Sequence, residues 1–147
     1  MKSKRFLKSA LAAAVLAITP TQAPAIDLQT LCLATNIYHE ARGESGWGQA
    51  AVGMVTLNRV DDPRWPDTVC EVVFQDRQFS WVGVMYRMEE PLAWDRALMI
   101  ANTLMAYPEA RQSFPATHYV HRRLDQRVVW TRDLERLYTI GNHVFYR

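Results

Sequence analysis

In Ile37-Tyr-His-Glu-Ala-Arg-Gly-Glu-Ser-Gly-Trp-Gly-Gln49 a helical pattern runs into three glycines, with two carboxylates, an arginine and aromatic rings crowded at the break. Upstream, Leu28, Leu31, Ala34 and Tyr38 recur at helical spacing, Leu33 and Ile37 widen the apolar stripe, and Asp27 stands where an N-cap belongs. This predicts a first helix reaching about Arg42. Downstream, Ala51, Val52, Val55 and Thr56 give a second helical stripe over residues 49–60, with Ser45 as its cap. Glu40 and Glu44 are four apart and on one continuous helix would share a face and repel. The glycines turn the chain and point them apart, leaving one free for chemistry and the other for structure. A glutamate at a helix end is ordinarily a solvated or capping residue, and local pattern leaves that reading open for Glu40.

Working outward, Asp61-Asp-Pro-Arg-Trp-Pro66 reads as a turn, and Thr68 with Glu71 forms a capping box ahead of a short third helix over residues 69–74. Residues 75–90 show no sustained period and are rich in Gln, Arg and aromatic side chains, the composition of a shaped functional loop. Pro91 opens the clearest helix, with Trp94, Ala97, Leu98, Ala101, Leu104 and Met105 on one face and Pro108 at its end. Trp65 and Trp94 are expected in the core. Short runs at residues 117–120, 127–130 and 144–146 suit a small, irregular β region. The expected architecture is α+β, helix-dominated, in one domain without repeats.

Composition agrees. With 147 residues, 49% of them hydrophobic and 22% charged, the chain is balanced as a globular domain, which excludes disorder and collagen-like repeats. The net charge of +2 comes from the start of the chain, where Lys2, Lys4, Arg5 and Lys8 stand in a stretch without acids. Without those four, 13 basic residues face 15 acidic ones, so no phosphate-tracking surface and no nucleic-acid partner is expected. The same start reads as a secretory signal: basic residues, an apolar run over residues 10–18, then Ala23-Pro24-Ala25, with cleavage expected after Ala25. The apolar run falls well short of the ~20 residues that span a bilayer, so no stable membrane insertion is expected after cleavage. Thr30-Leu31 before Cys32 lacks the small residue that lipoprotein processing requires. A soluble, exported, periplasmic protein of residues 26–147 is expected. In an oxidising compartment, Cys32 and Cys70 are expected to pair, closing a loop of roughly 38 residues and contributing about 3–4 kcal/mol.

The sites of other chemistries are incomplete. His39-Glu40 would open an HExxH zinc motif only with a histidine at position 43, which is Gly43. His118 and His121 have no carboxylate at ligand spacing, so no metal is expected. Neither Ser45 nor Ser80 sits in a nucleophile elbow, and Cys32 is expected to be oxidised. Carboxylate chemistry survives, and no cofactor is called for.

Residues 34–45, Gly48-Gln-Ala-Ala-Val52, Leu57-Asn-Arg-Val60, Gln78-Phe-Ser-Trp81, Ala116-Thr-His-Tyr119 and Ile140-Gly-Asn-His-Val-Phe-Tyr146 together closely resemble the SleB/CwlJ-type cell wall hydrolases, related to the catalytic domains of spore-cortex-lytic enzymes. The resemblance covers about residues 31–147. It implies a lysozyme-like fold, similar to resuscitation-promoting factor and lytic transglycosylase domains, that cleaves the glycan strands of peptidoglycan. It also implies that Glu40, the first glutamate of the E-A-R-G-E motif, is the catalytic acid. Such an acid must hold its proton near neutral pH to protonate a glycosidic oxygen. Tyr38, Trp47 and the Phe79–Trp81 loop would desolvate it and raise its pKa, an effect illustrated by lysozyme itself, while Arg42, if close, would act oppositely.

Gln78, Phe79, Ser80 and Trp81 combine amide, hydroxyl and aromatic groups suited to a glycan groove, and Thr117, His118 and Tyr119 are expected to line it. Tyr38, Arg42, Glu44, Gln49 and Asn58 are supporting candidates; Asn58 and Arg59 divide evenly between structural and substrate bonding. His143 and Phe145 are expected to lock the C-terminal segment. No second carboxylate stands in an obvious place, Glu44, Glu71, Asp76 and Asp95 being the candidates. A lytic transglycosylase, which forms 1,6-anhydro-muramic ends, works with one. A hydrolytic muramidase, an N-acetylmuramoyl-L-alanine amidase and a non-catalytic peptidoglycan-binding protein are the alternatives. A bare catalytic module for periplasmic remodelling or phage lysis is expected over a spore protein.

Overall fold

The computed structural model describes residues 26–75, 81 and 88–147. Four helices, α1 (Leu28–Ala41), α2 (Gly46–Val60), α3 (Val69–Phe74) and α4 (Pro91–Ala106), precede three strands, β1 (His118–His121), β2 (Arg136–Ile140) and β3 (His143–Tyr146). Asp27 caps α1 by accepting from the Thr30 amide, Ser45 caps α2 through the Gly48 amide, and Thr68 caps α3 through the Glu71 amide. Each such cap satisfies a helix-end donor and stabilises by about 1 kcal/mol. Helix α2 starts three residues earlier than expected, since Gly46 and Gly48 lie in its capped first turn rather than breaking it.

The apolar faces of α1, α2, α3 and α4 meet in one core containing Leu33, Ile37, Val52, Val55, Val73 and Ala101. Gly53 makes the close approach possible: a Cβ there would lie 2.7 Å from Leu104 Cδ1 and 2.9 Å from Ile37 Cδ1. The Cys32–Cys70 disulfide, with Cα atoms 5.2 Å apart, ties α1 to α3. Trp94 packs partly buried against this core. Trp65 does not enter it; the half-buried ring lies beneath the guanidinium groups of Arg64 and Arg59, at 4.5 and 5.6 Å.

The sheet is antiparallel in the order β1-β3-β2, with β3 buried along its length. Strand alternation divides it. Phe145 joins the helical core with Tyr119 packed against it, while Val120, Val144 and Tyr146 form a second cluster with Val128, Trp130 and Leu134. The strand expected at residues 127–130 is absent. The chain instead forms a 3-10 helix, Val129–Arg132, stabilised by Thr131 Oγ1 donating to the Val128 carbonyl at 2.6 Å. The sheet edge is taken by β2, whose alternation is hidden in the sequence by an irregularity between Arg136 and Tyr138. Among the described residues, no helix is long and apolar enough to cross a membrane.

Candidate active site

Glu40 lies in the last turn of α1, immediately before the chain reverses through residues 42–45. Among the described residues its carboxylate has two donors: Trp81 Nε1 reaches Oε1 at 2.9 Å, and the Tyr119 hydroxyl, on β1, reaches Oε2 at 3.2 Å. Burial pushes its pKa above the ordinary 4.5, and the bonds from Tyr119 and Trp81 and the Arg59 charge pull back. From the described residues each oxygen accepts one bond, and a carboxylate oxygen so bonded keeps lone-pair capacity for a proton. The opposing charge is therefore not that of Arg42, whose Nε pairs with Glu90 Oε1 at 2.8 Å on the surface.

Arg59 is 4% exposed, donates from Nε to the Thr117 carbonyl at 2.7 Å, and among the described residues has no hydrogen-bond partner for Nη1. Its carbonyl anchor lies two residues before Tyr119. Burial and the Glu40 charge hold the Tyr119 pKa well above 10, so Tyr119 remains a neutral donor. His39 stacks on Trp81, with ring centroids 4.6 Å apart, and burial lowers its pKa.

The motif residues separate into those around Glu40 and those that carry the frame. Tyr38 accepts the Glu90 amide at 3.2 Å and packs edge-on against Trp94, so it positions the start of α4. Glu44 accepts from the Asn142 amide at 3.1 Å and from Asn142 Nδ2 at 2.9 Å, clamping the β2–β3 turn. Gln49, buried, donates to the Glu44 carbonyl at 3.0 Å. Asn58 donates to the Phe114 and Ala116 carbonyls at 2.6 and 2.8 Å, fixing the approach to β1. Trp47, expected to desolvate Glu40, instead lies edge-on to Phe114 and is 57% exposed.

The Thr117-His-Tyr119 run splits by strand period. Tyr119 meets Glu40, whereas His118 packs against Trp65 and Trp130, each ring pair 5.5 Å apart, and Thr117 Oγ1 bonds His118 Nδ1 at 3.0 Å. Burial, with the Arg59 and Arg64 charges, lowers the His118 pKa to about 4. His143 is buried beside Tyr119, with ring centroids 5.2 Å apart. Gln78, Phe79 and Ser80, and Asp76 among the second-carboxylate candidates, lie outside the described residues. Of the others, Glu44 holds the turn, Glu71 accepts from the Thr68 hydroxyl at 2.6 Å, and Asp95 is exposed on α4. Among the described residues, no group of three His, Cys, Asp or Glu side chains is arranged to hold a metal ion. Arg59 stands in the sequence within the Leu57-Asn-Arg-Val60 motif, divided between structural and substrate bonding, and its charge acting on Glu40 is not anticipated there because that proximity depends on the packing of α2 against the end of α1 and β1.

A family model described as Cell Wall Hydrolase matches residues 43–146. The spore cortex-lytic enzyme of Bacillus cereus is 34% identical over 116 residues, covering 77% of this chain and 42% of that protein. That of Oceanobacillus iheyensis is 48% identical over 51 residues, 35% of this chain and 18% of the relative. The chain thus spans less than half the length of these curated relatives. The crystal structure of the catalytic domain of the Bacillus cereus SleB protein superposes with a TM-score of 0.63 at 28% identity, covering 89% of this chain and all of that one. The catalytic domain of the germination-specific lytic transglycosylase SleB from Bacillus anthracis gives 0.61 at 24% identity, covering 88% of this chain and all of that one, a likeness of fold. The fold is the α+β, helix-dominated, lysozyme-like fold of these domains.

Proposed function

Because the chain belongs to the cell wall hydrolase family, we propose that it is an exported enzyme cleaving the MurNAc–GlcNAc bond of peptidoglycan glycan strands as a lytic transglycosylase. The observation that carries this reading is Glu40: a carboxyl group whose proton is favoured by burial, held by Trp81 and Tyr119, with Arg59 as the charge acting on it among the described residues. Protonated Glu40 gives its proton to the glycosidic oxygen as the bond to the muramic anomeric carbon breaks and positive charge develops on the sugar. The departing GlcNAc carries that proton as a hydroxyl. The C6 hydroxyl of the same muramic residue then attacks the anomeric carbon and returns its proton to the Glu40 carboxylate, leaving a 1,6-anhydro end. One carboxylate serves both steps, in keeping with Glu44 and Glu71 being engaged elsewhere. Trp81, the described member of the Gln78-Phe-Ser-Trp81 motif, would border the bound strand.

Mass spectrometry of sacculi digested with the exported protein tests this. Anhydro-muropeptides are expected. Reducing muramic ends would instead assign a muramidase, free peptide stems an amidase, and binding without cleavage a non-catalytic wall protein.

A further inference from the structure

Away from Glu40, residues from the start of α2, the segment before β1 and strand β2 enclose an open cleft of about 420 Å3, within the ~300–1,000 Å3 range of small-ligand sites. Two of its rings face solvent, Trp47 at 57% and Tyr138 at 40% exposure. Both are held by one buried ring: Phe114 stacks on Tyr138 with centroids 5.4 Å apart and 18° between planes, and meets Trp47 edge-on at 6.1 Å. Ser113 and Thr139 stand among the lining residues, none of which is charged. Thr139 Oγ1 accepts from Arg136 Nη2 at 2.9 Å.

We propose that this cleft is a second glycan-binding site, which holds a pyranose ring of the strand against Trp47 and Tyr138 while another part of that strand occupies the Glu40 site. The occupant follows from the lining chemistry. A sugar ring presents C–H faces that pack on aromatic rings and hydroxyls that bond at its rim, and needs no charge partner. No lining side chain carries a charge for an anionic stem or a cationic peptide, and the neighbouring Arg136 is engaged by Thr139 Oγ1 and Asp125 Oδ2. Fixed rings also bind at lower entropic cost than mobile ones. The cleft is tied to the catalytic end of α1, since Glu44 clamps Asn142 two residues beyond Ile140 of the lining. The proposal rests on the glycan-cleaving reading and adds a grip on long strands to it.

The test compares wild type with Trp47→Ala, Tyr138→Ala and the ring-retaining Trp47→Phe, all confirmed folded by an unchanged thermal midpoint. Turnover is measured on intact sacculi and on short soluble muropeptides, and binding on chitohexaose and sacculi. The alanine variants are expected to raise KM on sacculi about tenfold, the loss of one aromatic contact, with kcat and short-substrate turnover unchanged, and Trp47→Phe to retain most of the affinity. If wild type cleaves glycan and the alanine variants match it on sacculi, the cleft is not a glycan site and the catalytic reading stands. If wild type cleaves no glycan, the catalytic reading fails first and this proposal with it. A wild-type dimer dispersed by Tyr138→Ala would give the cleft to a second copy and overturn the proposal.

Discussion

The Tyr119 hydroxyl donates to Glu40 Oε2 across 3.2 Å, joining the end of the first helix to the first strand at a single carboxylate oxygen. Helix and sheet thus meet at a group whose charged form is penalised by burial and supported by donors. A residue that gives up a proton and takes it back needs both, because its two states must lie close in energy.

Glu40→Gln preserves shape and removes the titrating proton. Glycan cleavage is expected to fall at least about 10²-fold with sacculus binding retained. Stability distinguishes this from damage to the fold. The folded-state pKa of Glu40 is raised, so its contribution is full below the ordinary value of 4.5 and is lost as pH rises through the raised value. The glutamine variant escapes that loss and should unfold no more readily than wild type at pH 8. Unchanged cleavage would remove Glu40 from the catalytic role.

Tyr119→Phe deletes a bond that holds the Glu40 pKa down. Activity requiring protonated Glu40 declines as pH rises through that pKa, so the descending limb of the kcat/KM profile should move to higher pH. Trp81→Phe should move it the same way. Each loss of a bond to the charged form is expected to reduce kcat by about tenfold or more. A limb that stays in place in both variants would mean that neither bond tunes the acid.

Helices were legible in the sequence because caps and apolar stripes are local: Asp27, Ser45, Thr68 and Pro91 each mark the start found in the structure. Strand β2 was not, because its irregular register conceals the alternation. Glu40 and Tyr119 were singled out through family motifs, but their contact joins residues 79 apart and has no local signature. The same motifs grouped His118 with Tyr119, and strand period sends their side chains to opposite faces. Arg42 was the nearer arginine in sequence, whereas Arg59 is the one whose charge reaches Glu40.

Gly141 has φ +56°, and a Cβ there would lie 1.9 Å from Glu44 Oε2. Gly141→Ala is expected to cost about 1–3 kcal/mol from backbone strain and crowding. In a Glu44→Ala background the crowding disappears and the strain remains, so the same substitution should cost less. Denaturant melts of the four proteins in this cycle give the coupling. A value of zero would show that the turn and the Glu44 clamp are independent.

His118 should set part of the acid sensitivity. With its pKa lowered from 6.5 to about 4 by burial, it is neutral in both folded and unfolded chains above pH 6.5. Between those values the unfolded chain binds the extra proton, so stability falls as pH drops from about 6.5 toward 4 and levels off below. His118→Asn should lose less stability than wild type between pH 7 and 4.5. Equal losses, measured by denaturant midpoints, would place the sensitivity elsewhere, with His143, whose pKa is also lowered, the next residue to replace.

The Cys32–Cys70 bond reaches the site from behind. It joins the first helix, whose last turn carries Glu40, to the short helix that precedes Trp81 in the chain, so the cross-link holds the element bearing the acid. Besides restricting the unfolded chain, the cross-link should limit relative movement of those elements. Alkylation followed by mass spectrometry should find no free thiol in the native protein. Replacing both cysteines by serine should cost about 2–5 kcal/mol of stability, with cleavage falling even at temperatures where the variant remains folded, because the helix bearing Glu40 is less tightly held. If cleavage by the folded variant equals that of wild type, the bond acts on stability alone, and the positioning of Glu40 rests on its hydrogen bonds and the packing of the helices.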